Sequence, residues 1–401
     1  MPDLYIARQP IYDNKLELFA YELLYRNNET NAAPLNIGDQ ATYTVLINAL
    51  TEIGLEELVG KHYAFINLTR GFLVGDNTMP FSGRQVVLEV LEDIPPDEDV
   101  INGVKRIAAE DHMIALDDFI YDDSMIELIK LCDIIKVDIM QFNLGELEHQ
   151  VEILREYDVK LLAEKVETQE EYEQCKALGF DYYQGYFFCR PNLLKRQCIP
   201  ASQLSLTRLM ARLSDPNVDM EELNEIISGD VSLSYKLLRY VNSAFFSLPS
   251  KVSSIRQAVV YLGLNVVKRW ALVVTMCSID DKPLELISTA LVRAKMCELI
   301  ARAIDDNDAE GYFMVGLLSV LDALLDTPLE EAISSLSMSE NINLALLNHE
   351  GNAGKALQSV LYFERGNWDE MDSVLLVDRD LILSIYVESI ALAESVCEGI
   401  G

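Results

Sequence analysis

The stretch HMIALDDFIYDDSMIELIKLCDIIKVDI, residues 112–139, decides the fold class, because it places one strand before a helix and one strand after it. Each apolar run ends in charged residues, the first at Asp117 and Asp118 and the second at Lys136. Between the two runs, DSMIELIKLC carries its apolar residues at helical spacing. A strand–helix–strand unit of this length is typical of a parallel sheet covered by helices.

The same alternation extends from Asp3 to about Cys198. The β-rich runs are residues 16–25, 62–69, 85–92, 112–119, 133–139, 159–166 and 181–188. The helical segments between them include 39–54, 97–111, 123–132 and 168–179. Seven or eight such units in fewer than 200 residues favour a compact, TIM-like (β/α) barrel over an open dinucleotide-binding sheet, and no GxGxxG motif follows any of the strands.

The strands stop beyond a polar, basic connector that Pro191 and Pro200 bracket. Asp219 and Asp230 then stand as N-caps before apolar-periodic runs, and similar runs continue to Cys397. We therefore expect two domains, an α/β barrel over residues 1–199 and an all-α domain over residues 200–401.

The net charge limits the classes of partner. The chain has 65 acidic and 32 basic side chains, a formal net charge of −33. Because such a chain repels phosphate backbones, we expect no direct nucleic-acid binding. No signal-peptide pattern opens the sequence and no apolar run is long enough to span a membrane, so we expect a cytoplasmic protein without membrane attachment.

Polar residues end otherwise apolar strands throughout the first half. They are Glu22, Asn67, Glu89, Asp117, Asp118, Lys136, Asp138, Glu164, Glu167 and Gln184. Glu92 follows Glu89 closely along the chain. The strand ends of a barrel share one rim, and a single carboxylate there is usually an N-cap. A whole ring of carboxylates destabilises the fold unless cations neutralise it, and oxygen donors favour Mg²⁺ or Mn²⁺. Two such ions can drive phosphodiester hydrolysis.

These residues also carry a resemblance to a known family. Residues 1–200 resemble an EAL domain, the barrel of cyclic di-GMP phosphodiesterases. The stretches that carry it are Glu22-Leu23-Leu24-Tyr25-Arg26, Phe65-Ile66-Asn67, Leu88-Glu89-Val90-Leu91-Glu92, Asp117-Asp118-Phe119, Lys136-Val137-Asp138, Ala163-Glu164-Lys165-Val166-Glu167 and Gln184-Gly185-Tyr186. Leucine replaces the family's alanine at Leu23, and lysine replaces its glycine at Lys165.

The resemblance implies a two-metal site for Mg²⁺ or Mn²⁺. Its metal ligands would be Glu22, Asn67, Glu89, Asp117, Asp118 and Glu164, with Asp117 bridging the two ions. Lys136 and Glu164 would orient and deprotonate the attacking water, and Gln184 and Glu167 would complete the catalytic set. Arg26 would bind a phosphate and Gln9 a guanine. The implied reaction converts cyclic di-GMP to the linear dinucleotide pGpG.

The chain departs from the family's pattern after Asp118. Active members usually continue with a glycine-containing loop that couples the metal site to barrel dimerisation, and Glu92 is expected to support that loop. This chain instead has Ile120-Tyr121-Asp122-Asp123-Ser124. Three hypotheses remain: a phosphodiesterase, a catalytically inactive cyclic di-GMP receptor or protein-interaction scaffold, and a structural adaptor that ignores the nucleotide.

Residues 200–401 resemble an HDOD domain, a relative of HD phosphohydrolases. The resemblance rests on Leu209-Met210, Asp215-Pro216-Asn217, the run from Ser234 to Ala244, Ser254-Ile255-Arg256-Gln257-Ala258-Val259, Leu262-Gly263 and Gly316-Leu317-Leu318-Ser319. His349 is the one histidine in this half, and no His-Asp step is present. We therefore expect an output or interaction domain rather than a metal hydrolase. The expected partners are cyclic di-GMP, an unidentified signalling protein that contacts the HDOD domain, and a second copy of the chain.

Overall fold

A computed structural model describes residues 4–27, 50–51, 53–75, 81, 85–187, 201–215, 217–242, 246, 251–277, 279, 282–334, 336 and 338–400. The chain divides into two compact units. Unit 1 comprises Met1–Phe187 with Glu364–Trp368, and unit 2 comprises Phe188–Phe363 with Asp369–Gly401. The connector 188–200 lies outside the described residues, so a domain boundary at 199–200 stays a prediction.

Unit 1 is built on a closed barrel of eight strands, paired in sequence order. The strands are β1 (Leu4–Asp13), β2 (Leu18–Asn27), β3 (Tyr63–Leu68), β4 (Val86–Val90), β5 (Met113–Leu116), β6 (Ile134–Asp138), β7 (Lys160–Glu164) and β8 (Tyr182–Gln184). Each pair from β2–β3 to β7–β8 is parallel. The predicted (β/α) barrel is confirmed, and the carboxyl ends of seven strands share one rim.

One strand departs from the prediction of a wholly parallel sheet. β1 was not expected as a strand, and it pairs antiparallel with both β2 and β8. It joins β2 through a tight turn in which Asp13 accepts hydrogen bonds from the backbone N–H groups of Lys15 and Glu17. The register places Gln9 opposite Glu22, so the antiparallel strand also brings a polar side chain to the rim.

Helices follow the strands of unit 1. They are α1 (Leu55–Val59), α2 (Arg70–Val74), α3 (Glu98–Ala108), α4 (Ile126–Ile129), α5 (Leu144–Leu154) and α6 (Gln169–Leu178). The helices predicted at 97–111 and 168–179 are confirmed as α3 and α6, and most of the one predicted at 39–54 lies outside the described residues. A complete capping box opens α6, since Thr168 accepts from the backbone N–H of Glu171 and the Glu171 side chain accepts in return.

Unit 2 is helical over the residues described, as predicted. Its helices are α7 (Ala201–Ser214), α8 (Met220–Ser228), α9 (Val231–Val241), α10 (Ile255–Leu262), α11 (Leu264–Met276), α12 (Leu284–Ala303), α13 (Ala309–Leu318), α14 (Leu321–Leu325), α15 (Leu329–Ser334), α16 (Glu340–Asn348), α17 (Gly351–Glu364), α18 (Trp368–Val374) and α19 (Arg379–Ile400). Asp219 and Asp230 cap α8 and α9. Tyr240 and Trp270 pack with ring centroids 4.6 Å apart in the core.

None of the helices within the described ranges is long and apolar enough to cross a membrane.

Candidate active site

The alternation of side chains along the strands places a polar ring directly above the apolar core of the barrel. One apolar layer fills the interior, formed by Ile11, Ala20, Phe65, Val87, Ala115, Ile134 and Leu162. Side chains two residues apart on a strand point to the same face. The next layer toward the carboxyl ends of β2–β7, and two residues earlier on antiparallel β1, is therefore Gln9, Glu22, Asn67, Glu89, Asp117, Lys136 and Glu164.

The Lys136 ammonium lies at the centre of this layer. Its Nζ is 2.7 Å from Glu89 Oε1, 2.7 Å from Asp117 Oδ1 and 2.9 Å from Glu164 Oε1. Glu22 Oε1 is slightly farther away, at 3.4 Å. The Lys136 side chain is completely buried, and the carboxylates are buried or nearly so. We call these four acidic side chains the carboxylate ring.

The carboxylate ring carries more negative charge than one ammonium can balance. Burial raises the pKa of Glu89 well above its usual value, and it raises the pKa of Glu164 to about 8, against the opposing effect of Lys136. Burial alone would lower the pKa of Lys136, but the four carboxylates together raise it well above normal. Lys136 therefore stays an ammonium, while the ring takes up protons in place of the missing positive charge.

An amide holds one edge of the ring. Gln184 Nε2 donates to Gln9 Oε1 at 3.0 Å and to Glu22 Oε2 at 2.5 Å. Glu22 is thus fixed between Gln184 and Lys136. The next residue, Gly185, has a φ of +147°, and a Cβ built there would lie 2.0 Å from the carbonyl oxygen of Val166. Only glycine permits this approach, which keeps Gln184 at the rim.

A second cluster of charges lies at the ends of β6 and β7. Lys165 Nζ is 2.5 Å from Asp138 Oδ2 and 3.6 Å from Asp118 Oδ1. Lys165 and Asp118 both have a positive φ, of 58° and 40°. We call these three residues the Lys165 cluster. The sequence analysis found Asp138 at a strand end but left it out of the predicted metal and catalytic set, which contained Asp118. Lys165 was also outside that set, and the signal that could have found it is its position directly after the strand end at Glu164.

The remaining predicted residues are placed less centrally. The Asn67 amide oxygen is buried beside Glu89, its partner in the β3–β4 register. Glu92 and Glu167 are exposed on the segments that follow β4 and β7. The backbone of Arg26 lies in β2, but its side chain is outside the described residues.

The altered loop after Asp118 forms a compact turn of its own. Asp122 caps the short 3₁₀ helix Asp123–Met125 by accepting from the backbone N–H of Ser124 at 2.9 Å. The backbone N–H of Tyr121 donates to Gln150 Oε1 on α5 at 3.1 Å. The loop is therefore fixed by hydrogen bonds that do not need a glycine backbone.

The donor chemistry of the rim fits a divalent cation. In the part of the chain that the structure describes, no three acidic, histidine or cysteine side chains are already arranged to hold a metal ion, and Lys136 lies between the carboxylates. Apart from atoms in ion pairs with Lys136 or Lys165, four buried acceptor atoms of the described rim nevertheless have no hydrogen-bond donor: Asn67 Oδ1, Glu89 Oε2, Glu164 Oε2 and Gln184 Oε1. Buried acceptors and excess negative charge are what a hard cation such as Mg²⁺ or Mn²⁺ compensates.

Comparison with family models gives two matches. Residues 77–191 match the EAL domain, and residues 199–343 match the HDOD domain. The matches include β4 to β8 of the barrel and most of the helices of unit 2, so they cover the rim residues from Glu89 to Gln184.

Two proteins are similar over nearly the whole chain. The "Uncharacterized protein YuxH" of Bacillus subtilis (strain 168) is 34% identical over 400 residues, which cover 96% of this chain and 97% of that protein. The "Cyclic di-GMP phosphodiesterase CdgJ" of Vibrio cholerae is 33% identical over 373 residues, 92% of this chain and 86% of that protein. A solved structure, "PaMucR Phosphodiesterase, c-di-GMP complex", is 21% identical with a TM-score of 0.41 and covers 50% of this chain and 99% of its own.

Proposed function

We propose that this chain, which belongs to the family of proteins that join an EAL domain to an HDOD domain, is a metal-dependent phosphodiesterase that hydrolyses cyclic di-GMP to pGpG. A relative at 33% identity bears the name of a cyclic di-GMP phosphodiesterase. The observation that carries the proposal is the buried carboxylate ring around Lys136, because so much buried negative charge must be balanced by protons or by cations, and its oxygen donors suit a divalent cation.

Two overlapping sets of rim residues would bind the cations. Glu22, Asn67, Glu89 and Asp117 would hold one Mg²⁺ or Mn²⁺ ion, and Asp117, Asp118 and Glu164 would hold a second. Such ions supply a bound water that ionises near neutral pH and a positive charge for the leaving oxygen.

The protein's own groups then orient the reaction. No donor among the described residues reaches Glu164 Oε2, so this atom would accept the proton of the attacking water once cations, rather than a proton, balance the ring. Lys136 would orient the attacking water, and because Glu89, Asp117 and Glu164 already engage its three N–H groups, it would exchange one of these contacts for the water. Gln9, whose Oε1 accepts from Gln184 Nε2, would bind a guanine, and Gln184 would belong to the catalytic set. Arg26 would neutralise a phosphate, and Glu167 would complete the polar site.

The test is an incubation of the full chain with cyclic di-GMP and Mn²⁺, with pGpG measured by chromatography. Glu22→Ala removes one member of the ring and is expected to lower the rate by about 100-fold or more. Glu152→Ala removes an exposed glutamate on α5 and is the matched control, with an unchanged rate. Equal rates in the two variants, or a rate that survives a chelator, would contradict the proposal.

The loop after Asp118 favours a second candidate, a receptor that binds cyclic di-GMP without turnover. The turn that Asp122 caps adds two exposed acidic residues, Asp122 and Asp123, to the segment that follows Asp118. In that case the wild-type chain binds the nucleotide saturably and forms no pGpG, and Glu22→Ala changes only binding. The same incubation therefore separates the two candidates.

For the helical half, we propose an output domain, over residues 200–401, that contacts a signalling protein. The HDOD match supports this role. His349 lies at the C-terminal end of α16 with a φ of +55°, and no second histidine exists in this half to build a His-Asp metal set. A cytoplasmic location and a homodimer are parts of the same proposal.

A further inference from the structure

Lys165 occupies a backbone position that does not favour lysine. Its φ of 58° lies in the left-handed region, which glycine and asparagine adopt more readily than other residues. Its side chain is 53% exposed. What holds it is charge: the ion pair with Asp138 Oδ2 at 2.5 Å and the nearby Asp118 Oδ1 at 3.6 Å.

The Lys165 ammonium is a permanent charge under physiological conditions. Partial burial alone would lower its pKa, but the hydrogen bond to Asp138 and the charges of Asp118, Asp138 and Glu164 raise it. These three carboxylates are the charged groups that face it. Two of them, Asp118 and Glu164, are the donors that the proposed function assigns to the second metal ion.

We propose that Lys165 is a built-in cation that competes with the second divalent ion for Asp118, so that its charge weakens the binding of that ion. This inference rests on the proposed function, because it concerns the metal site of that reaction. A divalent ion held by Asp118 would share that carboxylate with Lys165 Nζ, and two cations that share one carboxylate repel each other. Solvent screens the half-exposed ammonium, which limits the effect to about tenfold in affinity and makes it weaker at high salt.

The chain offers matched variants for testing this inference. Lys165→Asn removes the charge with a residue that tolerates the left-handed backbone. Lys165→Arg keeps the charge. Lys160→Asn removes the same charge from the opposite end of β7, where Lys160 is 59% exposed and pairs with Asp181 at 3.0 Å. All four proteins, as full chains, are titrated with Mn²⁺, and free Mn²⁺ is measured by electron paramagnetic resonance.

The wild type, Lys165→Arg and Lys160→Asn are expected to bind the second Mn²⁺ with similar affinity. Lys165→Asn is expected to bind the second ion about tenfold more tightly, with a difference that shrinks as salt rises. Second-site affinities that are equal in the wild type and Lys165→Asn overturn this inference but leave the proposed function intact. If none of the four proteins binds Mn²⁺, both are wrong.

Discussion

Replacing Lys136 by methionine tests whether the ammonium is what allows the carboxylate ring to be buried. Methionine matches lysine in length and is apolar, so the Lys136→Met variant removes the charge with little change in packing. Lys136 Nζ contacts three carboxylates at 2.7 to 2.9 Å and a fourth at 3.4 Å. Its loss leaves four buried acidic groups without a fixed counter-charge.

The magnitude follows from these distances. At an effective dielectric of about 20, each of the three shortest contacts is worth about 6 kcal/mol of attraction before the cost of burial is subtracted. The raised pKa values of Glu89 and Glu164 show that the ring relieves its charge by binding protons, which limits the loss. Removing one partner of a buried ion pair usually costs about 3–5 kcal/mol, which corresponds to a drop of about 10 °C in the unfolding temperature of a domain of this size.

Scanning calorimetry of the full chain in chelator and in Mn²⁺ measures the effect. Lys160→Met is the control, because Lys160 is exposed and its ion pair with Asp181 is worth about 1 kcal/mol or less. Mn²⁺ is expected to stabilise Lys136→Met more than the control, since the ion replaces the missing charge. The reasoning is refuted if the two variants unfold within about 2 °C of each other in chelator, or if Mn²⁺ stabilises both equally.

Three further predictions concern other parts of the molecule. In chelator, the barrel is expected to lose stability as the pH rises from about 4.5 to about 8, because folded Glu164 keeps a proton that the unfolded chain releases. Calorimetry at several pH values should show that the unfolding temperature falls over this range in chelator but not in Mn²⁺. Gly185→Ala, whose Cβ would meet the Val166 carbonyl oxygen at 2.0 Å, is expected to lower the unfolding temperature and abolish pGpG formation, whereas Gly145→Ala, with a nearest contact of 3.6 Å, should do neither. Glu298→Ala leaves cations of α11 and α12 without their buried carboxylate, so it should destabilise unit 2 by about 3 kcal/mol while the rate of pGpG formation at low temperature stays unchanged.

The barrel was predictable because seven of its strands carry the apolar pattern of a buried parallel sheet. β1 does not. Arg8, Gln9 and Pro10 interrupt its apolar run, and Arg8 is buried only because its guanidinium stacks on Tyr21 at 4.1 Å and donates to the carbonyl oxygen of Leu58. These contacts form between distant parts of the chain, so no local sequence pattern predicts them. α5 was missed as well, although Asn143 and Glu146 form a complete capping box at its start.

The central part of the candidate site was predictable for a related reason. Polar residues that end apolar strands must share one rim in a barrel. Because side chains two residues apart on a strand point to the same face, these residues point inward, directly above the core. The ring of four carboxylates around Lys136 follows from this rule. The exposure of Glu92 and Glu167 does not, because both follow a strand on segments whose path the strand pattern leaves open. The ion pairs of Lys165 depend on its positive φ, which a non-glycine residue does not reveal.

The two lysines at the rim differ in a way that bears on how the site responds to metal. Lys136 is fully buried among four carboxylates, so removing its charge would strongly destabilise the barrel, whether or not metal is bound. Lys165 is half exposed and pairs with two carboxylates at the edge of the rim, so water can solvate its ammonium at little cost in free energy when these ion pairs break. A divalent ion can therefore displace Lys165 from Asp118 but cannot displace the Lys136 charge from the barrel. The charge of Lys165 would therefore lower the occupancy of the second ion at a given cation concentration.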